Sequence, residues 1–190
     1  HEYKNEKIID NASCTTNCAA PMMLVLEKEF GIEKAMLTTV HSYTASQVLQ
    51  DGPSKDLREA RAAAQNMVPT KTGAAVAVTR TIPQLQNKFD GLSVRVPTIT
   101  VSLTDLTVLL KKDVTVEQIN KAYTKASKTY LKHILAVSNE LLVSSDYIGN
   151  SYSATIDLEL TRVVAGNLVK VVGWYDNEWG YANRLVEMAE

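Results

Sequence analysis

Hydrophobic and polar positions alternate along this chain in two different rhythms. Residues 7–10 (KIID) form a short apolar run, a strand candidate. After it, Ala19, Met23, Leu26 and Phe30 recur every three or four positions, the period of a helix with one buried face. Pro21, near its start, fits a first turn, and Gly31 ends it well. Residues 34–43 (KAMLTTVHSY) are apolar and β-branched, a strand pattern. Residues 44–71 lose both rhythms. Asp51-Gly52-Pro53-Ser54 is a turn signal ahead of the helical-looking residues 55–66. A long, partly irregular excursion is expected there, of the kind that carries function.

Residues 72–82 (TGAAVAVTRTI) predict a helix with Thr72 near its cap and Pro83 as its stop. Residues 91–112 are rich in Val, Leu and Thr and predict two long strands paired with each other. Thr115 and Gln118 form a capping box, and Val116, Ile119, Tyr123, Ala126 and Tyr130 mark the apolar face of the helix that follows. Residues 159–176 read as two strands around a Gly166-Asn167 turn. Residues 177–190 begin a closing helix. The order is β-α-β-loop-α-β-β-α, then β-β-α. It predicts an α+β fold: a mixed, largely antiparallel sheet with helices on one face. No repeat, low-complexity tract or linker divides residues 1–190, which are taken as one domain.

Composition narrows the partners. Of 190 residues, 45% are hydrophobic and 22% charged, the balance of a globular protein with a real core. Twenty basic residues stand against 21 acidic ones, so no basic stripe suits nucleic acid. No apolar run is long enough to cross a bilayer. The opening HEYKNEK is polar, unlike a secretory signal, and a start at His1 reads as an internal piece of a longer chain. Two cysteines point to a reducing, cytoplasmic setting.

Both cysteines lie in one stretch, NASCTTNC, residues 11–18. A Cys14–Cys18 disulfide would span i and i+4 of a helix start, with poorly aimed Cβ vectors. A metal would need more ligands, and His1, His41 and His133 do not cluster with the pair. Cys18 reads as a small buried hydrophobe. Cys14 falls where a strand hands over to a helix, and free N–H groups there favour a thiolate. A reactive Cys14 and a structural one both remain open. A reactive one needs a base, and His41 ends the next strand in TTVHSYT. If those strands run the same way, the two side chains face each other; otherwise His41 is a satisfied core histidine. His133 is assigned no chemistry.

NASCTTNC, TTVHSYT, DGPSKDLREARAAAQN, TGAA, RVPT and WYDNEWGYANR occur in an order and spacing that resemble the phosphorylating glyceraldehyde-3-phosphate dehydrogenase family. The resemblance covers essentially the whole chain and matches the catalytic portion. It implies that the N-terminal Rossmann half is absent, and no two of the eight glycines are one residue apart, as G-x-G-x-x-G requires. By resemblance, Cys14 is the nucleophile and His41 its base. Thr44 and Arg95, with Arg58, are expected to hold the phosphate of glyceraldehyde 3-phosphate. Ser13, Thr15, Thr72 and Gly73 are expected to hold the attacking inorganic phosphate. Asn177 and Tyr181 are expected to reach the nicotinamide of NAD or NADP, most of which the missing half would bind. No metal is implied. The family resemblance also implies a homotetramer.

Bland readings stand beside these. Arg95 could cap a sheet edge and Thr72 could only cap a helix. Trp174 and Trp179 read as core aromatics. The chain departs from the family pattern at Asp10, Glu59 and Lys71, which changes the charge around the two anion sites. The rivals are erythrose-4-phosphate dehydrogenase, a Cys–His hydrolase, and an inactive folded or assembly module.

Overall fold

A computed structural model describes residues 7–190. Helix α1 spans Cys14–Phe30. It starts because Ser13, in extended conformation, accepts a hydrogen bond from Thr16 N on its side chain. It stops at Gly31, whose φ of 71° lets its N–H reach back to the carbonyls of Leu26 and Glu27. Pro21 is the eighth helical residue, so it lies in the helix interior and not in a first turn. Strand β1 (Ile32–Ser42) follows directly and ends with His41 and Ser42 buried.

The sheet is completed by β2 (Val68–Lys71), β3 (Phe89–Val96), β4 (Ser102–Leu110), β5 (Leu135–Ser138), β6 (Ala154–Val164) and β7 (Leu168–Tyr175). Their order is β2-β3-β1-β4-β7-β6-β5. β1 runs parallel to β3, and β5 to β6; the other four pairings are antiparallel. The expected mixed, largely antiparallel α+β sheet is therefore what forms. Helices α2 (Ala74–Thr81) and α3 (Val116–Lys128) flank α1, while α4 (Trp179–Ala189) closes the chain.

The core lies between α1 and the sheet. Cys18, Met22, Met23 and Leu26 of α1 meet Leu37, Leu106, Val108, Ile156 and Val171 in one buried cluster. Strand β4 shows the logic: Ser102, Thr104, Leu106, Val108 and Leu110 are buried, and the residues between them are not. Each large side chain buried this way contributes about 1.5–3 kcal/mol.

Several elements differ from the pattern-based expectation. Residues 7–10 form no strand; nothing described pairs with them, and Ile8 is 89% exposed. Residues 55–66 are turns, not a helix. The Asp51 carboxylate takes Ala62 N and Arg61 Nε, and Ala63 N reaches Val48 O, so the segment folds back on its own loop. Strands β3 and β4 do not pair with each other, because β1 inserts between them. Edge strands β2 and β5, four residues each, gave no separate signal. Tyr130 lies beyond α3, half exposed, with Lys28 Nζ 3.9 Å over its ring.

Candidate active site

The chain enters α1 through a tight turn. Ala12 takes a left-handed φ of 54°, and its N–H donates to Asp10 Oδ1 at 2.6 Å. That turn sets Cys14 as the first residue of α1. His41 comes from the carboxyl end of β1, and Arg95 lies directly beside it in register on parallel β3. These three side chains converge. Cys14 Sγ is 3.4 Å from His41 Nε2. His41 Nδ1 lies 2.7 Å from Ser42 O and 2.6 Å from Arg95 Nη1.

They open on a cavity of about 630 Å³ that also includes Ser13, Thr15, Thr44, Thr72 and Gly73. Asp10, Lys71 and Arg80 complete its charged wall. Larger depressions lie elsewhere, around Met36 and Phe89 and around Arg58, but neither is lined by a cysteine or a histidine.

Burial governs the electrostatics. It pushes the Cys14 thiol up, against hydrogen bonds from Thr15 and the charge of Arg95. It pushes His41 down to about 4, assisted by Arg95 and opposed by the Ser42 carbonyl. Both shifts favour the uncharged forms, thiol and neutral imidazole. Cys18 is fully buried, its thiol pushed up to about 12, and its Sγ sits 3.7 Å from Met22 Sδ. Both cysteines are free. No cluster of metal-ligating side chains occurs among the described residues, and His1 lies outside them.

The other expected positions differ in what holds them. Thr72 accepts Ala74 N on its hydroxyl, while Gly73 caps α2 with open space around it. Ser13 and Thr15 line the cavity, but both also brace the first turn of α1, Ser13 through Thr16 and Thr15 through Tyr175. The Thr44 N–H and hydroxyl both donate to Gln47 Oε1. Arg58 is not brought to Cys14; it lines the neighbouring groove with Lys55, and only Lys71 and Thr72 border both spaces.

Asn177 is buried, and its Oδ1 accepts from Ser42 Oγ and Ser102 Oγ. That fixes the amide so that Nδ2 is left as a donor. Tyr181 is half-buried, with its main-chain carbonyl accepting from Asn11 Nδ2. Neither tryptophan joins the core: Trp174 is half-buried, stacked on Tyr147 and bonded to Asp157, and Trp179 is 57% exposed on α4.

Sequence reasoning missed Tyr175. Its hydroxyl bridges Thr15 and Thr39 at 2.9 and 2.8 Å, tying the first turn of α1 to β1 two residues before His41. It also missed Ser42 and Ser102, which orient Asn177. The inward phase of β4 and β7 signals Ser102 and Tyr175, whereas Ser42, at the end of β1, follows buried His41 and breaks the alternation.

A mixed sheet carrying a cysteine at a helix start against a strand-end histidine defines a domain of the cysteine–histidine type, its cavity lined by hydroxyls and by Lys71, Arg80 and Arg95. Comparison with known proteins supplies the family. Residues 13–177 match the model described as glyceraldehyde 3-phosphate dehydrogenase, C-terminal domain. The chain is 54% identical over 189 residues to glyceraldehyde-3-phosphate dehydrogenase 1 of Bacillus cereus, covering 100% of this chain and 57% of that protein. It is 53% identical to the Geobacillus stearothermophilus enzyme, covering 56% of it, and 52% identical to enzyme 2 of Synechocystis, covering 57%. The chain belongs to the glyceraldehyde-3-phosphate dehydrogenase family, as its C-terminal catalytic domain. It spans a little over half the length of these relatives.

Proposed function

We propose that the protein carrying this chain oxidises glyceraldehyde 3-phosphate to 1,3-bisphosphoglycerate. The observation that carries this reading is the 3.4 Å Cys14–His41 contact, opening on a cavity lined by Arg95, Thr44, Thr72 and Gly73. Cys14 Sγ attacks the aldehyde carbon as His41 Nε2 takes the thiol proton and returns it to the carbonyl oxygen, giving a neutral hemithioacetal and freeing the imidazole. His41 then takes the hemithioacetal hydroxyl proton as the carbon is oxidised to a thioester. NAD or NADP, when bound, accepts the hydride. Asn177 Nδ2 would hold the nicotinamide carboxamide, and Tyr181 would stand beside the ring. Inorganic phosphate, held by Thr72 and the Gly73 end of α2, attacks the thioester carbon and expels the Cys14 sulfur. Sulfur suits both steps, being a good nucleophile and a good leaving group.

Arg95 and Thr44 hold the substrate phosphate, with Thr44 turning from Gln47 to do so; Arg95 supplies a planar fork for the oxygens. Arg58 joins only if the loop after β1 moves. The parent acts in the cytoplasm and assembles as a homotetramer, without nucleic acid or membrane partners. The test is reduction of NAD or NADP by the full-length protein with glyceraldehyde 3-phosphate and phosphate. Cys14→Ser is expected to lower kcat by roughly 10³-fold or more. Unchanged turnover in that variant, or a clear preference for erythrose 4-phosphate, would overturn the reading.

A further inference from the structure

His41 Nδ1 faces two groups that cannot both bond it, although Ser42 O also has a longer contact of its own with Arg95 Nη1 at 3.4 Å. The Ser42 carbonyl at 2.7 Å needs a hydrogen on Nδ1, whereas Arg95 Nη1 at 2.6 Å needs a lone pair there. One nitrogen offers one or the other. With Arg95 donating, neutral His41 carries its proton on Nε2, pointing at Cys14 Sγ, and cannot accept the thiol proton. With Nδ1–H donating to Ser42, the Nε2 lone pair faces the sulfur and His41 is a base. Arg95 must then leave, because two N–H groups 2.6 Å apart repel.

Arg95 has somewhere to go. It lines the cavity, makes no ion pair among the described residues, and its buried Nε has no partner there. We propose that Arg95 selects the His41 tautomer: in the anion-free site it holds His41 in the inactive form, and a phosphate oxyanion in the cavity draws it off Nδ1 and releases the base. Arg95 is thus a positioning residue that couples filling of the phosphate site to activation of Cys14. The inference rests on the Cys14–His41 pair of the proposed function, but its test needs neither cofactor nor turnover.

The groups facing the pair are Arg95 from β3, the Tyr175 ring from β7 at 6.0 Å, and Asp10, Lys71 and Arg80 around the cavity. A purely Coulombic Arg95 would act in the opposite sense, since its positive charge favours a thiolate. The two ideas therefore separate on one variant.

The experiment is alkylation of Cys14 by iodoacetamide in the full-length protein, in buffer free of oxyanions; Cys18 is inaccessible. Adding inorganic phosphate, or the unreactive ester glycerol 3-phosphate, is expected to speed alkylation about tenfold near neutral pH, one pKa unit of thiolate. The two arms report whether a free or an esterified phosphate throws the switch. Arg95→Ala is expected to alkylate fast without either and to ignore both. Slower alkylation of Arg95→Ala than of the wild type, or no response of the wild type, would overturn the proposal. Should the variant not fold, 15N spectra of the wild-type imidazole decide it. The proton should move from Nε2 to Nδ1 on adding phosphate; an unchanged tautomer contradicts the coupling.

Discussion

Burial of His41 ties stability to pH. The folded state holds its pKa near 4, while an unfolded chain would titrate it near 6.5. Below pH 6.5 the unfolded state binds a proton that the folded state refuses, so stability falls as pH drops through this window. Between pH 7 and pH 5 the loss from this group is about 2 kcal/mol. Urea titration of the wild type and His41→Gln should show this share missing from the variant; equal pH slopes would contradict it. Thiols give a second check at the same scale. Cys14 borders the cavity and Cys18 has no exposed surface, so Cys14 should be alkylated much faster at neutral pH. Equal rates would contradict the assignment. Cys14 and His41 were legible because each stands at the boundary of a rhythmic segment, Cys14 at the start of α1 and His41 near the end of β1, and carries rare chemistry. Tyr175 was not, since an aromatic in a strand is ordinarily core and its hydroxyl partners lie 160 and 136 residues away.

Elements marked by local chemistry were read well, and elements set by distant pairing were not. The capping box of α3 forms as expected, with Gln118 N on Thr115 Oγ1 and Thr115 N on Gln118 Oε1. Thr115→Ala should cost about 1 kcal/mol in denaturant unfolding. The β6–β7 turn was visible in Gly166-Asn167, although β6 begins earlier, at Ala154. By contrast, a β3–β4 hairpin was the natural expectation for two apolar runs a few residues apart. Insertion of β1 is dictated by the sheet, and it is what puts Arg95 beside His41. Gly91 makes that insertion possible: a Cβ there would lie 2.5 Å from Leu37 O and 2.8 Å from Leu37 Cβ. Gly91→Ala is expected to destabilise by ~2 kcal/mol or more, because the obstacle includes the backbone of β1. A neutral result would mean that β1 and β3 can part without cost.

At the scale of the whole molecule, one face of the sheet is covered by helices and the other leaves Met36, Val40 and Leu168 partly exposed. The fold class followed from the order of elements, but the extent of this second face did not. The Cys14–His41 pair, the cavity lined by Arg95, Thr72 and Gly73, and Asn177 are all present in this chain, whereas the glycine pattern that cradles a dinucleotide pyrophosphate is not. The 190 residues alone are therefore expected to give no NADH from NAD and glyceraldehyde 3-phosphate, and steady turnover would refute that. The most direct measurement is mass spectrometry of the full-length protein after glyceraldehyde 3-phosphate and NAD are added with phosphate withheld. A phosphoglyceroyl group on Cys14, released when inorganic phosphate is added, is the predicted result. An unmodified Cys14 in an enzyme that still turns over, or the acyl group on another residue, would contradict it.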